Sequence, residues 1–497
     1  MEKFEKDFLD LCIGKIKLWG KMGIDTYGSR YDNVVHIEKI VNSIPKKDID
    51  TKQIIDNINV RIAGRITAIR NMGKSIFFDV IDISGKIQIY TNNVTIVNSL
   101  SKDDSGNIVK QLNIGDIIGI DGKLFFTKMG ELTIRAEFIK ILSKSVRTLP
   151  EKWNKLIDVE TRYRKRYLDF ISNPESMDII KKRFKIIKEI RLFLDKLNFI
   201  EVETPILQYT VGGAIAKPFE TFYNALSSGM KLRISPELFL KKLLVAGFTN
   251  IYEIGKNFRN EGISKKHSPE FTTLEIYQAY GDCRTMMDIV EQLIYNIAMK
   301  INGIPNVMSY NEKIIDLTPP WIRISYNDLI KSKVGEDWFN ISDCDKKARV
   351  RKLFDFDIND KFSCEFDITN EVYSKLIEHE LINPTFVTKL PFQLVPLAKR
   401  CSDDKNLVDV FELEINGSEI APAYSELNDP FEQMQRFINQ HITEDVDEID
   451  KDFIEALEYG MPPAGGMGIG IDRLVMLITG INSIRDVIPF PQMKSKV

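Results

Sequence analysis

Cysteine is scarce in these 497 residues: Cys12, Cys283, Cys344, Cys364 and Cys401 are widely spaced and odd in number. No two stand at C-x-x-C spacing, which excludes a disulfide framework and a cysteine-built zinc site and predicts reduced thiols. Excess charge of one sign is also missing. Against 71 acidic side chains stand 68 Lys and Arg, a net charge of −3, too near zero to announce a nucleic-acid partner by bulk electrostatics, so any RNA partner must rest on local features. At the amino terminus there is no long apolar run. The opening MEKFEKDFLDLCIGKIK alternates charged and apolar residues, the wrong pattern for a signal peptide or membrane helix, so the expectation is a cytoplasmic chain with no membrane partner. No fixed-period repeat is visible.

What is present suffices for more than one core: 43% of residues are hydrophobic and 28% charged, as in globular chains. Residues 1–56 read as a helical lead-in, broken by the proline of NSIPKKD. From 57 to 148 short alternating runs such as VRIAGRITAIR, SIFFDVID and KIQIYT are separated by glycine turns, the pattern of a small closed β-barrel of OB-fold size. RTLPEKW marks a linker, and residues 149–497 form the second domain. There, apolar residues at helical spacing from Met177 to Leu197 run into the strand FIEVETPIL, further strands follow, and a helix is expected near Met286–Ile301. Strands joined by hairpins and interrupted by single helices predict an α+β fold with a mainly antiparallel sheet; a doubly wound parallel sheet is the weaker reading. The stretch from 331 to 380 carries no motif.

Four places carry chemistry. In YEIGKNFRNEG and EFTTLEIYQAY, alternation puts Phe271, Glu275 and Tyr277 on one face, with Arg259 at the end of the preceding strand. Arg259 suits a phosphate or carboxylate, Phe271 a purine ring, and Glu261 an exocyclic amine; a solvated strand with a salt bridge accounts for the same residues. GGMGIGIDRL brings glycines and then Arg473 to a helix start, where phosphate is favoured. It is not the dinucleotide fingerprint. In FELEINGSEI an Asn416-Gly417 turn would set Glu414 opposite Glu419, so Glu412, Glu414 and Glu419 share a face and repel unless a cation such as magnesium intervenes; an exposed acidic face is the alternative. In RISPELFLKKLL, Ser235 reads as a helix cap with Pro236 first in the helix, and Glu237 as a first-turn acid.

Taken in order, these pieces resemble the three signature motifs of class II aminoacyl-tRNA synthetases, near 178–208, 251–280 and 465–480, and most closely the lysine-specific branch. The resemblance extends through GSRYDNVVHI, DVETRYRKRYLDF, GGAIAKPF, PLAKR and SELNDP, so it covers nearly the whole chain. It implies a class II antiparallel sheet with flanking helices behind an OB-fold barrel, and ATP, L-lysine and tRNA(Lys) as substrates with magnesium as cofactor. It also assigns roles. Arg259 would hold the α-phosphate and the lysine carboxylate, Glu261 and Phe271 the adenine, and His267 and Arg473 the outer phosphates, Arg259 and Arg473 being catalytic. Glu412 and Glu419 would carry magnesium. Gly213 and Glu275 would face the lysine amino group, Glu237, Glu426 and Tyr277 the side-chain ammonium, and Tyr424 and Gly468 complete the lysine site. On the barrel, Arg70, Phe77, Gln88 and Glu131 match anticodon-reading positions, although Phe77 or Phe78 must be core because they alternate. EVETPIL resembles a class II dimer interface, which implies a homodimer.

One departure stands out. The family has asparagine where this chain has Pro422, which offers no side-chain amide and no N–H, so a contact to the lysine carboxylate is expected to be weakened. Aspartate- and asparagine-specific relatives usually carry glutamine at the position of Glu237, and an acidic pocket repels their substrates. Paralogues that modify proteins lack the barrel. A non-catalytic RNA-binding descendant would not need both arginines and both acids.

Overall fold

The computed structural model describes the chain apart from residues 1, 45–57, 74, 93–94, 99, 150–155, 310, 355–357, 359–364, 441–449 and 495–497. Cys364 and most of NSIPKKD and RTLPEKW therefore lie outside the described residues; the other four cysteines are free thiols. The chain forms two compact units, residues 1–155 and 156–497.

In the first unit the helix Glu2–Lys21 and the short helix Ile37–Ser43 precede a barrel. Its strands Asn59–Met72, Ser75–Ile81, Lys86–Asn92, Ile117–Phe126 and Leu132–Ser143 pair antiparallel with their neighbours. The ring closes where Gln88–Tyr90 pairs in parallel with Thr133–Arg135, which leaves no long open edge. The period of two decides the faces: Ile76, Phe78 and Val80 enter the core with Ile62, Ile120 and Ile139, while Phe77 stays half-exposed on the outside. Trp19 of the first helix is fully buried in this core.

The second unit is built on an eight-stranded sheet. Its order is Ile322–Ser325, Thr385–Thr388, Val410–Glu414, Glu419–Ser425, Ala464–Gly470, Glu270–Ala279, Asn250–Phe258 and Ile200–Glu201. The outermost pair at each end is parallel and the pairs between are antiparallel. The α+β reading holds and the doubly wound alternative does not. Helices Pro174–Lys196, Cys283–Asn302 and Ile471–Thr479 put Ile186, Ile190, Leu293, Ile294, Leu474 and Val475 against Leu274, Ile276, Phe411 and Ile469 of the sheet. One face is thereby covered, and the other is left for the site.

Local chemistry sets the turns. Asn416 and Gly417 both have positive φ (54° and 61°), and Ile415 donates its N–H to Ser418 O at 3.0 Å, the two-residue hairpin that Asn-Gly favours. The turn sets Glu414 opposite Glu419, with a register shift between Leu413 and Glu414. The helix after Ser235 starts one residue later than the sequence suggests, at Glu237 with Pro236 as its cap residue; Ser235 Oγ still accepts from Glu237 N–H at 3.2 Å. The motif-free stretch holds helices Tyr326–Val334, Asp343–Phe354 and Glu365–Val372, packed around fully buried Trp338. A small three-stranded sheet of Leu207–Gln208, Glu220–Tyr223 and Ser228–Leu232 stands apart from the main one.

Candidate active site

On the uncovered face of the sheet lies a cavity of 270 Å³, walled by the strands Asn250–Phe258, Glu270–Ala279, Glu419–Ser425 and Ala464–Gly470 and by the starts of three helices. Phe271, Thr273, Glu275 and Tyr277 line it together because they alternate along one strand. Arg259 stands just past the neighbouring strand, with its guanidinium 5.2 Å from the Phe271 ring centre. Its Nε is buried without a partner among the described residues. Burial weakens its hold on its proton, while Glu261, Glu275 and Glu419 act against that. An arginine so desolvated and so little engaged is prepared for an anion.

At the same end, Arg473 follows the glycine-rich strand in the first turn of its helix, donates to Glu419 O at 2.8 Å and lies 3.3 Å from His267 Nε2. His267 is exposed at the rim, its Nδ1 held 2.8 Å from Ser264 Oγ. Partial desolvation on the side facing the site, then the charge of Arg473, holds its pKa below the ordinary imidazole value, so the ring is mostly neutral at pH 7. Glu261 is also at the exposed rim. Asp472 anchors this end: it accepts from Thr272 N–H at 2.8 Å and from Arg183 at 2.6 Å, and Arg183 reaches Thr272 Oγ1 at 3.1 Å.

The opposite end is acidic. Glu275 is buried, accepting from Ser235 Oγ at 3.0 Å and from the Tyr277 hydroxyl at 3.1 Å. Burial and then the charge of Glu237 raise its pKa to about 7. Glu237 accepts from the Tyr424 hydroxyl at 2.7 Å. Gly213, at φ +85°, lines the cavity where a Cβ would lie 2.9 Å from Glu237 Cβ. Gly468 leaves more room, with Glu275 Cγ nearest at 4.0 Å.

Two of the expected site residues, Glu426 and Glu412, do not line the cavity. Glu426 is 1% exposed and bound to Lys241 Nζ at 2.5 Å; its Oε1 lies 1.8 Å from where a Cβ on Gly466 would be. Glu412, opposite Pro422 in the hairpin, is held above the usual carboxylate range by burial and then by Glu419. Glu414 goes further, to about 9, for want of solvent and because Glu412 and Glu378 are near. Pro422 itself lines the cavity. It stands just before the rungs to Ala464–Gly470 begin at Ala423, a position where a missing N–H is tolerated.

Sequence reasoning missed Lys241, Asn257 and Gly466. Asn257 donates to Thr273 Oγ1 at 2.8 Å and leaves its buried Oδ1 without a partner among the described residues, at the cavity wall. Its place two residues before Arg259, at the end of the strand Asn250–Phe258, was the available signal. Lys241 looks from sequence like one of two ordinary helix lysines.

The barrel presents a second surface. Arg70 pairs with Asp79 at 2.8 Å, and Gln88 donates to Glu131 at 2.9 Å and accepts from Thr133 at 2.9 Å. Phe77 belongs to an aromatic strip: Tyr90 lies 5.3 Å away, Phe125 5.9 Å from Tyr90, and Arg135 4.8 Å from Phe125. Aromatic faces interleaved with cations suit single-stranded bases. Tyr90, Phe125 and Arg135 were not singled out from sequence.

The fold and this two-ended cavity agree with what relatives show. Residues 158–494 match the family described as "tRNA synthetases class II (D, K and N)", and residues 60–142 match the "OB-fold nucleic acid binding domain". The chain belongs to the class II tRNA synthetases. Among its relatives, a protein named lysine--tRNA ligase from Pelotomaculum thermopropionicum is 47% identical, over 95% of this chain and 92% of its own length. Proteins of the same name from Carboxydothermus hydrogenoformans and Thermotoga maritima are 46% and 44% identical, each over 99% of this chain and 98% and 97% of their own.

Proposed function

We infer that this chain is a lysine–tRNA ligase, which activates L-lysine with ATP to lysyl-adenylate and transfers it to the 3′ end of tRNA(Lys), releasing pyrophosphate and AMP. One observation carries the reading: a single cavity has guanidinium groups at one end, from Arg259 and Arg473, and buried carboxylates at the other, from Glu237 and Glu275. Such a space takes a nucleotide tail and an amine together, and few substrate pairs other than ATP and a cationic amino acid offer both.

Lysine's carboxylate is ionised at neutral pH, so its attack on the α-phosphate needs no general base. The residues act by position and charge. Arg259 spans the carboxylate and the α-phosphate; Phe271 and Glu261 hold adenine; Arg473 and neutral His267 meet the outer phosphates. Glu275 and Gly213 face the α-amino group, Tyr277, Tyr424 and Gly468 shape the side-chain slot, and Glu237, backed by Glu426, meets the ammonium at its end.

Magnesium fits the hairpin acids. Glu412 and Glu419 are oxygen donors whose burial raises their pKa values, with Glu419 adding to the effect at Glu412 and Glu378 at both, and a cation beside them relieves both. Among the described residues no three acidic, histidine or cysteine side chains are grouped to hold a metal alone, which suits an ion that completes its shell with substrate phosphates. The chemistry a bound magnesium supplies is charge neutralisation on those phosphates.

The barrel strip supports anticodon binding through Arg70, Phe77, Gln88 and Glu131. The exposed apolar residues Phe184, Leu192, Ile200, Ile206, Leu207 and Tyr209, around the EVETPIL motif, support a homodimer. Among the described residues no helix is long and apolar enough to cross a membrane, which fits a cytoplasmic enzyme. The test is ATP–pyrophosphate exchange with each of the twenty amino acids, followed by charging of tRNA(Lys). Lysine alone should drive exchange; exchange driven best by aspartate or asparagine overturns the reading.

A further inference from the structure

Behind the acidic end of the cavity lies an ammonium that belongs to the protein. Lys241 Nζ is 2.8 Å from Glu237 Oε1 and 2.5 Å from Glu426 Oε2, and its side chain is fully buried. The two carboxylates come from different parts of the fold. Glu237 starts the helix Glu237–Val245, one turn before Lys241, whereas Glu426 follows the strand Glu419–Ser425. Tyr424 joins them, donating to Glu237 Oε1 at 2.7 Å and lying with its ring centre 5.5 Å from Lys241 Nζ. A lone lysine deprived of water would lose its proton; with two carboxylates within 3 Å it keeps it more firmly than usual, burial being outweighed by Glu237 and Glu426. Glu426, by contrast, is pushed up by burial and held down by Lys241.

We propose that Lys241 is a specificity-determining positioning residue: clamped between Glu237 and Glu426, it fixes both carboxylates and leaves their site one negative charge, so that it takes one alkylammonium group. This rests on the lysine reading above and adds a charge count to it. Two buried carboxylates without the resident ammonium would carry two charges, a state that burial disfavours, so one takes up a proton and neither is held in place for the ligand. With Lys241 present and both carboxylates ionised, a single charge is left on Glu237 and Glu426, which a single lysine ammonium balances. The resident cation also discourages ligands with two charges at that end, since the second would lie against Lys241.

The experiment uses the full chain and lysine-dependent exchange. Lys241→Met keeps length and loses charge; it should raise the lysine KM on the order of 30-fold with the ATP KM unchanged, and make lysine binding depend more steeply on pH through protonation of Glu237 and Glu426, with Glu275, Tyr277 and Tyr424 as the neighbouring groups. Combining it with Glu426→Gln returns the site to one negative charge and should recover part of that loss. In Lys241→Ala, added n-propylammonium replaces the missing atoms and should lower the lysine KM, whereas n-propanol should not. An unchanged lysine KM in Lys241→Met, no gain in the double variant, or equal rescue by n-propanol overturns the proposal. If Lys241→Met does not fold, the alkylammonium and double-variant arms decide. Wild-type protein that ignores lysine would sink the functional reading itself, whereas a lysine-dependent wild type with indifferent variants sinks only the role of Lys241.

Discussion

Arg473 stands 3.3 Å from His267 Nε2, and its charge is the second largest cause, after burial, of the depressed pKa of that ring. Removing the guanidinium should therefore let His267 titrate at higher pH. In Arg473→Ala, one of the four histidine resonances should move its midpoint upward, and exchange should fall by about 10²–10³-fold, as for loss of one charge-stabilising donor. An unmoved midpoint would separate the two side chains.

Glu275 supplies a pH dependence of definite sign. Its pKa is raised from 4.5 to about 7 in the fold, so its contribution to stability is complete below 4.5 and is lost as pH climbs towards 7. Ligand binding runs the other way, because an ammonium is balanced only by the ionised carboxylate. The lysine KM should fall as pH rises between about 6 and 8, by up to about tenfold per unit below the pKa. Glu275→Gln should flatten that profile; a wild-type profile that is already flat contradicts the assignment.

Two neighbouring glycines should respond differently to one methyl group. At Gly466 a Cβ would fall 1.8 Å from Glu426 Oε1 and 2.5 Å from the Tyr277 ring, whereas at Gly468 nothing lies closer than 4.0 Å. Gly466→Ala should lower stability by about 1–3 kcal/mol and impair lysine use. Gly468→Ala should melt like wild type and raise the lysine KM by filling space at the cavity wall. Equal melting temperatures for the two variants would count against this contrast.

Pro422 lines the cavity with no amide to offer. Pro422→Asn should lower the lysine KM severalfold, the size of one hydrogen bond of about 1 kcal/mol, with adenylate formation still dependent on Arg259. A KM that stays or rises refutes the idea.

Phe77→Ala should weaken tRNA by about 1–3 kcal/mol, the value of one base–aromatic stack, and leave exchange without tRNA untouched. Equal charging kinetics in the variant would remove Phe77 from the reading surface.

Much of this was legible in the sequence because local rules govern it. Alternation alone put Phe271, Glu275 and Tyr277 on one face, and Asn416-Gly417 alone fixed the hairpin that sets Glu414 against Glu419. Lys241 was not legible: its neighbour Lys242 has the same chemistry, and only the packing of residues 185 positions apart makes one of them a buried counter-ion to Glu426. The helices around Trp338 escaped notice for a related reason. Asp343–Phe354 is rich in charged residues and buries only Lys346 and Val350, so it has almost no apolar stripe to read. The helix after Ser235 starts one residue later, at Glu237, and Ser235 also turns its hydroxyl to Glu275, a contact that the local sequence does not reveal.

Thr272 N–H and Arg183 both engage Asp472. Phe271 precedes Thr272 and Arg473 follows Asp472, so the proposed base platform and the proposed tail anchor meet at one hydrogen-bonded junction. On the proposed roles, the span between them is a gauge set by the sheet and helix, and it decides the length of nucleotide the cavity would admit.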